Sequence, residues 1–263
     1  MRDVARENSF AVTLRFRGDL PFFLKRSEAP GPVIRRLREK TAVKDVIEAC
    51  GVPHTEVDLI LCNGVPRTFT FHLLADTTVE IYPVRAADEL HSAHRLQRRQ
   101  VTRFVVDGHL GKLARDLRLL GFDALYSRDA RDDALLRAAI EQQRALLTRD
   151  RRLLMHAVLR DGYCPRSDQA EEQIVEVVRR FELKWAMRPY TRCSRCNGIL
   201  QRVAKESVVT ELEPLTRIYY EEFRQCVDCR NVYWSGSHFA KLQARLERIC
   251  ARVAGHADAR NQQ

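Results

Sequence analysis

Between residues 104 and 150 the spacing of apolar positions switches repeatedly between the unbroken run of a buried strand and the period of a helix. Phe104-Val105-Val106 is continuous and ends at Asp107. Leu110, Leu113, Ala114, Leu117 and Leu120 then recur at i, i+3, i+4 and i+7, which places them on one helix face, and Gly121 supplies the left-handed stop. The unit repeats, with Ala124-Leu125-Tyr126 as a short strand, Asp132 to Gln143 as a helix, and Ala145 to Thr148 as a further buried strand running into Arg149-Asp150. Strands alternating with helices at this spacing predict an α/β fold, a parallel sheet with flanking helices and right-handed crossovers.

Upstream the pattern differs. In FAVTLRF, Phe10, Val12, Leu14 and Phe16 alternate onto one face, Gly18-Asp19 makes a turn, and LPFFL follows as the second arm of a half-buried hairpin. Ser27 to Arg38 mixes Pro, Gly and charge and reads as a loop. Thr41 is placed to cap a helix that buries Val43, Val46, Ile47 and Cys50 and stops at Gly51. VDLILCNG, RTFTFHL and TVEIYPV are three more strand-like runs, with Asn63-Gly64 as a hairpin signal. The order ββαβββ is compatible with a β-grasp module. His54 and His72 are isolated and receive no role. Residues 86–100 are polar and increasingly basic, the composition of a linker, with Arg95, Arg98 and Arg99 set near a nucleic-acid path.

Downstream, Leu153 to Leu159 continues as helix and Asp161 to Arg166 offers a short strand that Pro165 keeps at an edge. Asp168 starts a helix carrying Ile174, Val177, Val178 and Phe181. The segments VVTELE and RIYYEEFRQ are expected to pair as a hairpin. Phe239, Leu242, Leu246, Ile249 and Val253 share a stripe against Lys241, Arg245, Arg248 and Arg252, a basic amphipathic helix packed on the body, and the last ten residues read as disordered.

In open parallel sheets ligands bind beyond the carboxyl ends of the strands, where Asp107 and Asp150 fall. Asp132 or Asp133 begins the intervening helix and can reach the same edge. Carboxylates gathered in one place repel one another unless a cation sits among them, so the set implies a divalent metal, and all-oxygen ligation suits Mg or Mn rather than Zn. Asp168 is either a fourth acidic residue or an N-cap paired with Glu171 in a capping box. Lys112, Arg115 and Arg118 form a basic stripe that holds a substrate backbone or packs the helix. Cys193-x-x-Cys196 and Cys226-x-x-Cys229, with 29 residues between the pairs, supply four thiolates for one closed, structural Zn. Tyr219, Tyr220, Phe223, Tyr233 and Trp234 either stack on bases or fill the small core of that ribbon.

The 45 Lys and Arg against 35 Asp and Glu leave a net charge of +10, which fits an acidic partner such as nucleic acid. No apolar run approaches membrane-spanning length, and MRDVARENSF lacks a signal-peptide core, so a cytoplasmic location is expected. Four of the eight cysteines form the two pairs and the rest lie among apolar neighbours, which in a reducing compartment reads as one metal site plus buried thiols.

FVVDGHLGKLARDLRLLGFDALYSRDARDDALLRAA followed by ALLTRDRRLL resembles the PIN-like ribonuclease family known as the Mut-seven C-terminal domain, over roughly residues 101 to 240 once the cysteine pairs are included. The resemblance implies a PIN-like fold with a C-terminal zinc ribbon and metal-dependent cleavage of RNA. By motif position it implies Asp107, Asp132 and Asp150 as the catalytic carboxylates. VKDVIEACGVPHTEVDLILCNG resembles the ubiquitin-like β-grasp module that often precedes this domain. The module is similar to sulfur carriers, but its last strand runs on through Pro83-Val84 without a free Gly-Gly end, which leaves docking of a protein partner, or stabilisation, as its expected role. The expected order is a ubiquitin-like module (1–85), linker (86–100), PIN-like RNase domain (101–187), zinc ribbon (188–238), and basic helix with tail (239–263). The competing reading is a non-catalytic RNA-binding or adaptor protein with a vestigial acidic site.

Overall fold

The computed structural model describes residues 9–28, 31–84 and 89–254. The expected disordered tail lies almost wholly outside them. The chain forms two compact units: one takes in the chain up to Arg98 together with Thr148–Cys164, the other Arg99–Leu147 with the chain from Pro165 onward.

The first unit is built on β1 (Phe10–Phe16), β2 (Val33–Leu37), β3 (Thr41–Ala42), α1 (Val43–Ala49), β4 (Val57–Cys62), β5 (Val65–Arg67), β6 (His72–Leu73) and β7 (Thr77–Pro83). Its main sheet runs β2-β1-β7-β4-β5, with β1 and β7 parallel and the other pairs antiparallel, the mixed sheet of a β-grasp fold. Asn63 and Gly64 both take positive φ, at 49° and 79°, and close the β4–β5 hairpin as a primed turn.

Three local expectations are corrected. LPFFL is a 3-10 turn, Leu20–Phe23, because Pro21 suits a helical first turn, and Leu20 and Phe23 become core. The hairpin partner of β1 is β2, inside the stretch expected as loop, where Pro and Gly precede the strand instead of interrupting it. Thr41 opens β3, which pairs with β6, and Ala42 occupies the cap position of α1.

Residues 96 and 97 pack along the start of β4. Leu96 N–H donates to the Asp58 carbonyl at 2.7 Å, and buried Gln97 donates to the carbonyls of His54 and Val57 at 2.8 and 2.9 Å. Arg95 pairs with Asp58, Arg98 with Asp161 and, in the second unit, Arg99 with Glu182. Protein carboxylates thus engage the three arginines expected near a nucleic-acid path.

The second unit opens with β8 (Arg103–Val106), α2 (Gly111–Leu119), β9 (Asp123–Tyr126), α3 (Asp132–Glu141) and β10 (Ala145–Leu147). The three strands are parallel in the order β10-β8-β9, as the alternating pattern predicts. The chain then enters α4 (Arg151–Leu154) and β11 (Gly162–Tyr163), which group with the first unit. There α4 is a single turn, shorter than expected, because the chain turns back to bury Leu159.

The second unit resumes with α5 (Ala170–Arg180), β12 (Leu200–Val203), α6 (Pro214–Tyr219), β13 (Phe223–Cys226), β14 (Val232–Trp234) and α7 (Ser237–Ala254). Phe104 meets Phe122 and Phe181 edge-on at 6.2 and 5.4 Å in its core. The ribbon sheet is antiparallel, β12-β13-β14. VVTELE is not a strand: it forms 3-10 turns in which Val208 and Leu212, four apart, pack with Phe223, and Pro214 then initiates α6. As expected, α7 packs on the body, with Ile249 buried and Arg245, Arg248 and Arg252 pairing with Asp116, Glu171 and Glu172. Among the described residues no helix is long and apolar enough to cross a membrane.

Candidate active site and metal centre

In the parallel register Leu147, Val106 and Tyr126 lie level, so the three parallel strands β10, β8 and β9 end at one line. Asp107 is the next residue after β8. Its N–H donates to the Leu147 carbonyl at 3.0 Å, and its Oδ1 accepts the His109 N–H at 3.4 Å, which closes a 3-10 turn over Gly108–Leu110. The glycines of Asp107-Gly-His-Leu-Gly111 are steric requirements. A Cβ on Gly108 would overlap the Arg128 carbonyl, and one on Gly111 would overlap the Tyr126 hydroxyl, which donates to the Gly108 carbonyl at 3.0 Å. The turn is pressed against the end of β9, and Asp107 rides on it.

Asp132 is exposed at the first position of α3, six residues after β9. Its neighbour Asp133 is also exposed and pairs with Arg131 and Arg137 at 3.3 and 3.8 Å, the ordinary surroundings of a helix-start carboxylate. Asp150 follows β10 by three residues and caps α4 through Oδ1, accepting the N–H groups of Arg152 and Leu153 at 2.8 and 3.2 Å. Asp168 is not the cap of its helix. Gln169 stands at that position, and Glu176 takes up the N–H groups of Arg166 and Ser167. Asp168 instead lines a pocket of about 480 Å³ with Gly108, His109, Lys112, Tyr126 and Gln173, beside the turn that carries Asp107.

The basic stripe divides. Lys112 and Arg115 are exposed and line this pocket. Arg118 is 4% exposed, which corrects its assignment to substrate: its guanidinium donates to the carbonyls of Ala124, Ser194 and Arg195 at 2.9, 3.2 and 3.1 Å. Burial holds its pKa below the usual arginine range, with the neighbouring cysteines acting the other way. It ties α2 to β9 and to the first cysteine knuckle. Arg118→Gln is therefore expected to destabilise the protein by about 2–4 kcal/mol, because buried carbonyls lose a charged donor. A denaturant midpoint that does not move would reject this role.

Cys193, Cys196, Cys226 and Cys229 offer sulfurs that all lie within 4.8 Å of one another, and among the described residues they are the one set of three or more His, Cys, Asp or Glu side chains so grouped. Four thiolates in this arrangement can hold a metal such as zinc. Gly198 has no room for a Cβ, which would overlap Asp228 and crowd the Cys226 sulfur. Burial would push the Cys193 thiol up, but the Tyr233 hydroxyl, 3.0 Å away, and the backbone N–H groups of Cys196 and Arg195 together pull it down to about 7. Burial pushes Cys196 up to about 12. The knuckle is fastened to β9 by Asn197, which accepts the Ala124 N–H at 3.0 Å and donates to Asp123 at 2.8 Å.

The ribbon aromatics split in the same way. Phe223 is core and Tyr220 packs on it, Tyr233 serves Cys193, and Tyr219 and Trp234 stay exposed.

Residues 102–246 match the family model of the Mut7-C RNAse domain, and residues 9–89 match that of the Mut7-C ubiquitin domain. The chain belongs to the Mut7-C RNase family. No curated protein and no solved structure matches it. The Mut7-C RNAse span contains every acidic candidate and all four cysteines.

Tyr126 is the residue of the Mut7-C RNAse edge that sequence reasoning leaves without a role. Its signal is the two glycines three apart after Asp107, which announce a close approach by some neighbour but not which one. Buried Arg144, bonded to Asp123 and to the Phe104 carbonyl, is equally unmarked.

Proposed function

We propose that the protein is a divalent-metal-dependent ribonuclease that hydrolyses phosphodiester bonds, with Asp107, Asp132 and Asp150 as its catalytic carboxylates. The observation that carries this reading is the Mut7-C RNAse match over residues 102–246. The level ends of the three parallel strands support it, since Asp107 follows one of them directly and the other two aspartates follow by a few residues.

These aspartates offer oxygen donors only, which suits Mg or Mn. Such an ion, when bound, lowers the pKa of a water and neutralises charge developing on the phosphate. The protein's own part is to hold the carboxylates in place: Asp107 on its glycine-locked turn, Asp150 as the cap of α4, Asp132 at the start of α3. Lys112 and Arg115 hold the substrate phosphates, and Asp168 supplies a further carboxylate facing the same pocket. The choice of RNA over DNA rests on the family, because the chemistry is common to both. The four cysteines hold one structural Zn, the ubiquitin-like module contacts a protein partner, and the enzyme works in the cytoplasm.

The test is cleavage of mixed single-stranded RNA and DNA by the purified full chain with Mg or Mn, against chelator. Metal-dependent loss of RNA supports the reading. RNA binding without cleavage under every metal condition would favour the adaptor alternative.

A further inference from the structure

Asp150 lies in Thr148–Cys164, the stretch that packs with the ubiquitin-like unit although it follows directly on a strand of the RNase sheet. The residue next to it is fastened to that unit. Arg151 donates to the carbonyls of Phe23 and Phe22 at 2.8 and 3.1 Å, and its guanidinium lies over both rings at 5.2 and 5.1 Å from their centroids. The far end of the stretch is fastened as well. Leu159 carbonyl lies 2.8 Å from a ring nitrogen of buried His54, and Cys164 N–H donates to buried Glu56 at 2.7 Å.

A half-buried arginine with two carbonyl acceptors and two aromatic faces is held in one orientation, since a planar guanidinium loses little further freedom per bond. Arg151 is the first residue of α4, whose cap is Asp150. Fixing α4 fixes its first amides, and those amides hold Asp150 Oδ1.

We propose that the Phe22–Phe23 turn, acting through Arg151, positions the Asp150 carboxylate. Arg151 is a positioning residue in this scheme. The inference rests on Asp150 being one of the catalytic carboxylates. It explains why the 3-10 turn Leu20–Phe23 presents two successive carbonyls and two phenyl rings to one side chain.

The experiment compares full-length wild type with Arg151→Gln, Arg151→Lys and Phe22→Leu. Arg151→Gln is expected to lower kcat for RNA by on the order of 10–100-fold, the range typical of residues that orient a metal ligand, with KM for RNA little changed and a higher Mn concentration needed for half-maximal activation. Arg151→Lys restores part of the loss because it keeps a donor and a cation over the rings. Phe22→Leu keeps the carbonyl and loses one ring, so it moves kcat the same way by less, and it serves as the test if Arg151→Gln does not fold. In metal-free protein the amides of Arg152 and Leu153 exchange faster in Arg151→Gln than in wild type.

Wild-type kcat and Mn requirement in Arg151→Gln overturn the proposal, even if exchange rises, because Arg151 then serves α4 alone. A fall in kcat with unchanged exchange also overturns it, since Arg151 would then act on substrate. If wild type does not cleave RNA at all, the nuclease reading fails, while Mn affinity and amide exchange still decide whether Arg151 sets Asp150: unchanged values in the variant overturn that part too.

Discussion

Asp107→Asn is expected to lower metal-dependent RNA cleavage by on the order of 10²–10³-fold or more, the scale on which loss of one preorganised charge-stabilising group is felt in an active site. The fold should stand. Asn keeps the Oδ1 that accepts the His109 N–H, so the turn after β8 retains its closing bond. The charge that attracts a cation is what disappears. Without metal, removing one of several like charges leaves the melting temperature at or slightly above wild type. Binding of RNA to the basic surface should persist with its salt dependence intact, because phosphate contacts do not need the carboxylate. Asp150→Asn should behave alike, since its Oδ1 still caps α4. Equal cleavage by wild type and both variants across Mg and Mn titrations would assign the activity to other residues and remove the basis for the nuclease reading.

The parts of the fold that are legible in the sequence are those whose information is local. The α2 face Leu113, Ala114, Leu117 and Leu120 and the uninterrupted Phe104–Val106 run are both buried, as their spacing predicts. Asn63-Gly64 encodes its own turn, and the paired cysteines encode their own cluster. Tertiary partnership is not legible. Nothing in LTRDRRLL announces that Arg151 will meet Phe22 and Phe23, or that Cys164 will meet Glu56, 108 residues away in the chain. Arg118 escapes for a related reason. On a helical wheel it borders the apolar face, and only the arrival of the first cysteine knuckle turns that border into interior. Asp168 misleads because a carboxylate before a helix is usually its cap, whereas here Glu176 from the second turn reaches back to accept the Arg166 and Ser167 N–H groups.

Cys226→Ser is expected to release the ribbon metal and unfold the ribbon locally. Cys226 is fully buried, its sulfur 3.4 Å from that of Cys196, and it ends β13, the central strand of the ribbon sheet. Around it the sheet has only a small apolar core, Val208, Leu212 and Phe223 with Val203, Tyr220 and Val232 packed on it. Burying those three side chains contributes roughly 5–9 kcal/mol by area, which is of the order of the entropy lost by fewer than ten ordered residues. A ribbon of about 45 residues with so small a core is expected to depend on a bound metal, and structural zinc in such modules supplies on the order of 10–16 kcal/mol. Serine binds the ion far more weakly than a thiolate, and the other three sulfurs cannot close a tetrahedron. Elemental analysis should give one Zn per chain for wild type and much less for the variant, with new protease cuts between residues 190 and 236. Because Arg118 and Asn197 bolt the first knuckle to α2 and β9, the loss should also lower the stability of the RNase sheet. Wild-type protein purified without chelator and found free of Zn would overturn the zinc assignment. A variant that loses Zn yet keeps the wild-type cleavage pattern with protease would show that Val208, Leu212 and Phe223 hold the ribbon together without a metal.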